Sequence, residues 1–289
     1  MSMGIEKKRI HKPEWLKINL GNNSNFSMTG KIVNNNGLHT ICKSGRCPNM
    51  GECWNRGTAT FMIAGEICTR NCKFCNTQSG KPLPLNPDEP RKVAQSIQLL
   101  KLKHAVITSV DRDDLGDCGA AHWAETIREI KNYNPHITIE TLIPDFKGNK
   151  NCLQMIIDAR PNIISHNMET VRRLTPVVRS VARYETSLSV LSYIGKSDIP
   201  AKSGIMLGLG ETNDEIIETM NDLLNAGCYL LSIGQYLQPS PRNIPVAEYI
   251  HPDKFEEYKS IGLQFGFKHI ESSPLVRSSY RSIDFMNIN

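Results

Sequence analysis

The strongest constraint on the fold is an alternation of two hydrophobic patterns between Thr60 and Phe265. Short runs of β-branched and apolar residues alternate with longer segments in which apolar residues recur every three or four positions. The runs predict strands and the spacing predicts helices, so each pair is a β/α unit. Six units are predicted, with strands at 60–64, 104–110, 137–142, 162–165, 201–207 and 229–233, and helices at 88–102, around 123–130, 152–159, 184–193, 213–226 and 252–265.

Strands that alternate with helices pair in parallel through right-handed crossovers. Because six units are two fewer than a closed (β/α)8 barrel contains, we predict an α/β fold with a partial (β/α)6 TIM-like barrel over residues 59–270. A doubly wound sheet is the alternative, and both folds place the active site at the carboxyl ends of the strands. We expect an irregular N-terminal extension at 1–58, docked through Trp15, Leu16, Ile18 and Leu20, and a C-terminal tail at 271–289.

The charge balance is close to neutral, with 34 basic and 29 acidic residues and a formal net charge of +5. This excess is too small to indicate nucleic-acid binding, although it suits an acidic protein partner or an anionic substrate. Lys7, Lys8 and Arg9 are not followed by an apolar run, and no segment has the length and apolarity of a membrane span. We therefore expect a cytoplasmic protein with neither nucleic acid nor a membrane as a partner.

Six of the nine cysteines form two triplets: Cys42, Cys47 and Cys53, and then Cys68, Cys72 and Cys75. In a reducing compartment, clustered cysteines indicate metal ligands or catalytic groups rather than disulfides. A structural zinc site takes four protein ligands, usually as two close pairs, and neither triplet has that pattern. A four-iron cluster normally takes four thiolates, so three cysteines leave one iron open to a substrate or cofactor.

The spacing of the second triplet, Cys68-x3-Cys72-x2-Cys75, resembles the cluster-binding motif of the radical S-adenosylmethionine superfamily. The resemblance implies that the open iron binds the amino and carboxylate groups of S-adenosylmethionine. One electron from the cluster then cleaves this cofactor to methionine and a 5′-deoxyadenosyl radical. The resemblance also implies that Phe74 packs near the adenine, although a residue that only fills space beside the cluster fits equally well.

The first triplet directly precedes the radical motif, and Arg277-Ser278-Ser279-Tyr280 lies near the C-terminus. Within the superfamily, these two features resemble the lipoyl synthase family. The resemblance runs nearly end to end, through Lys12-Pro13-Glu14-Trp15-Leu16, Ser109-Val110-Asp111-Arg112-Asp113-Asp114, His166-Asn167-Met168-Glu169-Thr170 and Gly234-Gln235-Tyr236-Leu237-Gln238-Pro239.

The resemblance implies a sulfurtransferase that inserts sulfur at C6 and C8 of an octanoyl chain attached to a lysine of a carrier protein. Its cofactors would be S-adenosylmethionine and two [4Fe-4S] clusters: a radical-generating cluster on the second triplet, and an auxiliary cluster on the first triplet that donates sulfur and is consumed. The carrier would be the glycine-cleavage carrier protein or a lipoyl domain of a 2-oxo acid dehydrogenase. A ferredoxin- or flavodoxin-type reductant and an iron–sulfur cluster carrier would be the other partners.

The resemblance further implies that Ser279 is the fourth ligand of the auxiliary cluster. Ser278 is not excluded by its spacing, and from the residues alone a serine here is a cap or turn residue. We therefore predict that Ser279→Ala leaves cleavage of S-adenosylmethionine intact and impairs sulfur insertion.

Candidate contacts to S-adenosylmethionine follow the predicted strands, because radical-enzyme barrels bind the methionyl group and ribose at strand ends. They are Ser109, Asp111 and Arg112 after the second strand, Asn167 and Glu169 after the fourth, and Gly204 and Met206 in the glycine-rich fifth. The alternatives are a solvated turn at 111–114 and, at Glu169, a carboxylate favoured by a helix dipole. Glycine would let the backbone approach the adenine.

One segment departs from the family pattern. A histidine usually precedes the Pro-Val pair in these proteins, whereas Asn243 and Ile244 precede Pro245 here. Asparagine can keep a hydrogen bond but cannot carry a proton.

Three other hypotheses fit parts of the sequence. Another radical enzyme with an auxiliary cluster, such as a biotin-synthase-like or methylthio-transferring protein, would differ in its auxiliary spacing. A two-cluster electron carrier of the ferredoxin type would use complete four-cysteine sets in a short chain. A zinc-stabilised binding module would be separated from both by metal analysis.

Overall fold

The structure is a computed structural model that describes residues 11–17, 24–55 and 59–287. Of the apolar cluster predicted to dock the extension, Ile18 and Leu20 lie outside these ranges. Leu16 is fully buried, while Trp15 remains 42% exposed and its ring lies edge-on to His251, with centroids 5.1 Å apart.

Ten strands are assigned within the described ranges. In chain order they are β1 (His39–Thr40), β2 (Thr60–Ile63), β3 (Ile67–Cys68), β4 (Gln78–Ser79), β5 (His104–Ser109), β6 (Thr138–Leu142), β7 (Ile163–Ser165), β8 (Ala201–Leu207), β9 (Leu230–Gln235) and β10 (His269–Ser272). Eight of them form one sheet in the order β1-β2-β5-β6-β7-β8-β9-β10, and β3 pairs with β4 separately. Every neighbouring pair of the large sheet is parallel except β1 and β2.

Ten α-helices are assigned in the same part of the chain. They are α1 (Ser24–Asn35), α2 (Ile41–Ser44), α3 (Met50–Asn55), α4 (Glu89–Leu99), α5 (Ala120–Tyr133), α6 (Lys150–Asp158), α7 (Thr175–Val178), α8 (Tyr184–Gly195), α9 (Asn213–Asn225) and α10 (Pro252–Phe265). Short 3₁₀ turns occur at Glu14–Leu16, Phe146–Gly148 and Ser282–Asn287. All six predicted β/α units are present, so the predicted α/β architecture is confirmed.

The N-terminal region differs from the prediction, because α1 occupies a stretch that was expected to be irregular. Its sequence is polar, but it packs on Trp54 of α3: the Thr29 hydroxyl donates to the Trp54 carbonyl oxygen at 3.1 Å, and the Phe26 and Trp54 ring centroids lie 5.2 Å apart. Tertiary packing therefore stabilises a helix that local propensity does not predict. Cys42 and Cys53 of the first triplet also lie on short helices, within an extension that was expected to be irregular.

A seventh parallel strand, β10, follows the six predicted units and pairs with β9 in register from His269 opposite Leu230 to Ser272 opposite Ile233. It leads directly into the tail.

No helix in the described part of the chain has the length and apolarity that crossing a bilayer requires. The division of the chain at 58 and 270 stays a prediction.

The two faces of the large sheet carry different residues. One face packs against the helices through a large apolar core that includes Ile97, Ile107, Ile127 and Ile139. The opposite face is more polar and carries Glu140 and Lys202, both buried. Because side chains alternate along a strand, this second face continues to Leu142, Met206 and Gly234 near the carboxyl ends of β6, β8 and β9.

Candidate active site

A cavity of about 570 Å³ opens at the carboxyl ends of the parallel strands. Its walls include five cysteines, two from the first triplet and three from the second, together with both serines of the tail. These residues are Cys42, Cys47, Cys68, Cys72, Cys75, Ser278 and Ser279. The fold therefore brings three separate parts of the sequence to one space.

Two short helices and the turn between them carry the first triplet. Cys42 lies in α2, Cys53 in α3 and Cys47 between them, where its backbone N–H donates to the Cys42 carbonyl at 3.0 Å. Cys53 does not line the cavity but packs with the other two in an apolar cluster around Trp54. Burial, reinforced by the neighbouring Cys42, raises the pKa of the Cys47 thiol.

The second triplet lies in a tight loop that begins at the end of β3. The Cys68 sulfur accepts backbone N–H groups from Arg70 at 3.4 Å and Asp111 at 3.3 Å. The Cys75 N–H donates to the Cys72 carbonyl at 3.1 Å, which closes the turn. Burial, followed by the nearby Asp111 carboxylate, raises the pKa of Cys68 to about 12, and burial also raises the pKa of Cys75.

Arg70 anchors this loop to the ends of two strands. Its guanidinium donates to both Asp113 oxygens at 2.7 and 2.9 Å and to both Asp145 oxygens at 2.6 and 2.8 Å. Although burial opposes ionisation, Arg70 holds the pKa of Asp145 at about 2. Bidentate arginine–carboxylate pairs fix direction as well as distance, so the loop has one defined orientation over the cavity.

Asn243 holds the same loop from the other side. Its side-chain amide donates to the Cys75 carbonyl at 2.8 Å and to the Lys73 carbonyl at 3.2 Å. Its own side-chain oxygen accepts from the Ser240 hydroxyl at 2.6 Å. The residue that departs from the expected histidine is thus a buried hydrogen-bonding group of the cysteine loop.

Seven of the eight predicted cofactor contacts line the cavity: Phe74, Ser109, Asp111, Asn167, Glu169, Gly204 and Met206. The structure does not bring the eighth, Arg112, to this space. Its guanidinium is buried against Asp114, with which it forms two hydrogen bonds of 2.9 Å, and it also donates to the Ala64 carbonyl. Arg112 therefore supports the turn after β2 instead of facing a ligand, which corrects its predicted place in the site.

Glu169 and Asn167 occupy a strained segment beside β8. Glu169 has φ of 67°, and its backbone bridges to β8 through hydrogen bonds with the Gly204 carbonyl and the Met206 N–H. The Asn167 amide donates to Glu169 at 3.1 Å and to the Ser278 hydroxyl at 2.7 Å. Burial raises the pKa of Glu169. A left-handed φ at a glutamate is uncommon, and here the two backbone hydrogen bonds to β8 hold it.

Two buried polar atoms in the cavity wall have no hydrogen-bond partner within the described ranges: Asn167 Oδ1 and Ser232 Oγ. Buried polar groups are normally satisfied, so these two atoms indicate a polar ligand in the cavity. Asn167 Oδ1 can only accept, as the amino group of S-adenosylmethionine would require. The donor set thus fits this cofactor beside a cluster on the second triplet.

No group of three or more His, Cys, Asp and Glu side chains in the residues described here has the geometry for one metal ion.

The apolar part of the wall is a separate cluster in which Phe74 and Met206 pack with Tyr236. The Tyr236 hydroxyl donates to the Ile244 carbonyl at 2.7 Å, so its ring is held in place.

The tail reaches the cavity by passing close to β9. A Cβ atom added to Gly234 would lie 2.1 Å from the Val276 carbonyl oxygen, a separation that real side chains do not adopt. Glycine is therefore required for this approach. The Asn49 amide donates to the Leu275 carbonyl at 2.7 Å and joins the first triplet's segment to the tail.

The residues that sequence reasoning missed are mainly those that hold the cysteine loop in place. Arg70 stands inside the second triplet but gives no signal of its own, because its partners Asp113 and Asp145 lie in the segments that follow β5 and β6. Asn243 did carry a signal, since it departs from the family pattern. Ser232 lies inside a predicted strand, and its exposure to the cavity depends on the register of β9.

Comparison with known proteins agrees with this geometry. The sequence profile of the radical SAM superfamily matches residues 62–223. Lipoyl synthase of Phocaeicola vulgatus is 65% identical over 273 residues, which cover 94% of this chain and 96% of that protein. Lipoyl synthase of Bacteroides fragilis is 63% identical over 282 residues, 98% of each chain. Lipoyl synthase of Treponema denticola is 58% identical over 271 residues, 94% and 93% of the two chains.

Solved structures share the fold at low sequence identity. Methylornithine synthase superposes with a TM-score of 0.55 at 14% identity, covering 72% of this chain and 62% of that one. Coproporphyrinogen III oxidase from Escherichia coli, a radical SAM enzyme, gives 0.52 at 14% identity, covering 73% and 54%. The expected resemblance is confirmed: the chain belongs to the lipoyl synthase family of the radical SAM superfamily.

Proposed function

We propose that the protein inserts two sulfur atoms, at C6 and C8, into an octanoyl chain carried on a lysine of a protein substrate. Membership in the radical SAM superfamily implies a [4Fe-4S] cluster and S-adenosylmethionine. The observation that carries the proposal is that cysteines from both triplets line one cavity. A carbon radical made at one site can then meet a sulfur donor at the other without leaving the cavity.

In this proposal Cys68, Cys72 and Cys75 hold the radical-generating cluster, and the first triplet with Ser279 holds the auxiliary cluster. When bound, the two clusters supply the reductive cleavage of S-adenosylmethionine and the sulfur for insertion. The raised pKa values of Cys47, Cys68 and Cys75 mean that these thiols are protonated before iron arrives. Loading the sites therefore releases protons.

The chain's own groups orient the cofactor and exclude water. Asn167 Oδ1, Glu169 and Asp111 offer acceptors to the methionyl amino group. Phe74 and Met206 form an apolar wall suited to the adenine, and Gly204 allows a close approach of the backbone. Arg70 and Asn243 keep the cysteine loop fixed, which supports the alignment that radical transfer between bound groups requires.

The hydrogen bonds favour Ser279 over Ser278 as the auxiliary ligand. The Ser278 hydroxyl accepts from Asn167 at 2.7 Å, and its carbonyl accepts from Lys202 at 2.8 Å. For the Ser279 hydroxyl, which also lines the cavity, the described residues provide no hydrogen bond. A hard oxygen ligand on a soft site is a weak ligand, which suits a cluster that gives up sulfide.

The partners follow from this reaction. The substrate would be the octanoylated glycine-cleavage carrier protein or a lipoyl domain of a 2-oxo acid dehydrogenase. A ferredoxin- or flavodoxin-type protein would supply electrons, and an iron–sulfur cluster carrier would rebuild the auxiliary cluster. The proposal also places the protein in a reducing compartment such as the cytoplasm, because cluster ligands must remain thiolates.

The test is to reconstitute the protein anaerobically and add S-adenosylmethionine, dithionite and an octanoyl-lysine peptide. We expect 5′-deoxyadenosine together with a peptide that has gained two sulfur atoms, measured by mass spectrometry. Deoxyadenosine without a thiolated peptide would instead support another radical enzyme.

Two neighbouring serine variants test the auxiliary ligand. Ser279→Ala should still cleave S-adenosylmethionine but should form little lipoyl product. Ser278→Ala loses one hydrogen bond to Asn167 and should retain most of the product. Unimpaired product from Ser279→Ala would remove this serine from the site.

A further inference from the structure

A buried ion pair lies one layer below the cavity, on the face of the sheet that the cavity occupies. Lys202 of β8 donates to both carboxylate oxygens of Glu140 on β6, each at 3.0 Å, and the side chains are 1% and 0% exposed. Lys202 shares its face with Gly204 and Met206, and Glu140 shares its face with Leu142; these three residues line the cavity.

Both members of the pair also bind the C-terminal tail. Lys202 donates to the Ser278 carbonyl at 2.8 Å, and the Ser282 hydroxyl donates to Glu140 at 2.5 Å. The two contacts therefore bracket Ser279. Below them, the Phe285 ring lies 3.8 Å from the Lys202 ammonium and packs against Ile163 at the start of β7.

The hydrogen bonds extend to β5 and β7, the two strands that flank β6. His104 Nε2 lies 2.6 Å from the Ser282 oxygen, and the Ser165 hydroxyl donates to Glu140 at 2.8 Å. The tail thus runs from the cavity into the sheet's polar interior, fastened on three strands. Between the end of β10 at Ser272 and the 3₁₀ turn Ser282–Asn287 the described part of the tail has no regular structure, so its path depends on these side chains.

A buried ion pair is not needed for stability alone, because well-packed apolar residues of similar volume commonly serve as well or better. Charged groups in the interior do impose direction, since each oxygen and proton must find a partner. Here two of those partners belong to the tail.

We propose that Lys202 and Glu140 are positioning residues for the auxiliary site, and that they fix the tail so that Ser279 faces the first cysteine triplet. The inference rests on the proposed role of Ser279. Neither residue touches the reacting atoms, so its effect should appear first in the order of the tail.

The test uses the full, cluster-loaded chain with both charges removed, Lys202→Met with Glu140→Gln, because a single change would leave a buried charge unpaired. The matched control is Lys254→Met with Glu257→Gln, which removes an exposed ion pair of the same composition from α10. Hydrogen–deuterium exchange of residues 277–287 is measured under anaerobic conditions. We expect exchange to be on the order of ten- to hundredfold faster in the buried double variant, the range set by losing one charged hydrogen bond.

The second readout is the Mössbauer spectrum of the auxiliary cluster. The buried double variant should shift this spectrum toward that of Ser279→Ala, and the control pair should leave it unchanged. Where the double variant does not fold, Ser282→Ala is measured, because it removes a tail contact and keeps the ion pair; it should also accelerate exchange. If the variant that folds exchanged at the same rate as the parent, the inference would be overturned. If Ser279→Ala left the spectrum unchanged, the assignment of Ser279 as a ligand would be refuted. The exchange rates would then test only whether Lys202 and Glu140 anchor the tail.

Discussion

At the scale of single residues, the geometry of the site depends on the residues that hold the cysteine loop as much as on the cysteines. Asn243 is buried and bonds to two backbone carbonyls of the cysteine loop, at Lys73 and Cys75. The Lys73 carbonyl also accepts the Ile244 N–H at 3.0 Å, so within the described residues the Cys75 carbonyl is the one that would lose its donor, at a cost of about 1–3 kcal/mol. The asparagine at this position is therefore a structural requirement of the loop.

Asn243→Asp tests this role, because aspartate keeps the shape and replaces two donated hydrogen bonds with carboxylate–carbonyl repulsion. We expect an iron chelator to remove iron from the second triplet about tenfold faster or more. Cleavage of S-adenosylmethionine should fall in parallel. The rate of iron loss from Asn243→His should lie between those of the parent and Asn243→Asp, because an imidazole can retain one donor.

The matched control is Asn213→Asp at the start of α9, where the side-chain oxygen accepts from the Tyr258 hydroxyl at 2.8 Å and a carboxylate would still accept. Chelator resistance of Asn243→Asp equal to that of this control would contradict the role.

The cysteines could be predicted as ligands from their spacing, because a ligand pattern of this kind is local. Arg70 could not, since its pairing with Asp145 depends on where β6 ends relative to the cysteine loop. The place of Arg112 could not be predicted for the same reason: it follows β5 as expected, but its guanidinium turns to Asp114 and does not line the cavity. Position in a strand-end segment does not fix the direction of a side chain.

At the scale of elements, periodicity predicts the six β/α units because each buries an apolar face against the sheet. The same reasoning misses α1, whose largely polar sequence has only a narrow apolar stripe at Phe26, Ile32 and Val33. A Cβ added to Gly30 would lie 3.2 Å from the Trp54 ring, so this glycine lets α1 approach α3 closely. The helix exists because of a contact with residues more than twenty positions away, which local pattern reasoning cannot see.

The close approach of the tail to β9 gives a prediction at this scale. Gly234→Ala would place a methyl group 2.1 Å from the Val276 carbonyl oxygen and force the tail away from the strand. We expect a loss of about 1–3 kcal/mol in the free energy of unfolding and a fall in sulfur insertion. Thermal unfolding and product analysis measure the two effects.

Gly116→Ala is the appropriate comparison, because its added Cβ would meet no atom within 4 Å. It should retain the parent's stability and product yield. If Gly234→Ala behaved like Gly116→Ala, the tail would not be seated against β9 as described.

At the scale of the whole molecule, the two ends of the chain meet at one cavity. The parallel sheet and the location of a site at its carboxyl ends follow from the sequence pattern, but periodicity does not reveal that the tail descends through the polar face of the sheet. Only the family resemblance indicated that the tail belongs to the site. The contacts of Lys202 and Glu140 with the tail depend on the packed sheet and have no sequence signature.

Two histidines, the buried His166 and the half-buried His104, make stability depend on pH. Burial lowers the pKa values of His104 and His166 to about 4, below the value near 6.5 of an exposed ring. Between these pH values the unfolded chain binds protons that the folded chain does not. Their contribution is fully present above pH 6.5 and is lost as pH falls toward 4, at about 1.4 kcal/mol per pH unit for each ring.

His166→Asn should remove one ring's share of this slope, because an amide does not titrate. The measurement is the midpoint of thermal unfolding of the loaded protein at several pH values between 7.5 and 5.5, compared between variant and parent. His136→Asn, at an exposed position, should leave the slope unchanged. An equal slope in His166→Asn and the parent would show that this ring is not held neutral by burial.

An iron count across a single turnover tests whether the cavity holds two clusters, one that is consumed and one that survives. The reconstituted protein should contain about eight irons per chain, the number in two cubanes. After one round with S-adenosylmethionine, dithionite and octanoyl-lysine peptide, each chain that has formed one lipoyl product should retain about four irons. Eight irons retained alongside lipoyl product, or only four at the start, would contradict the account.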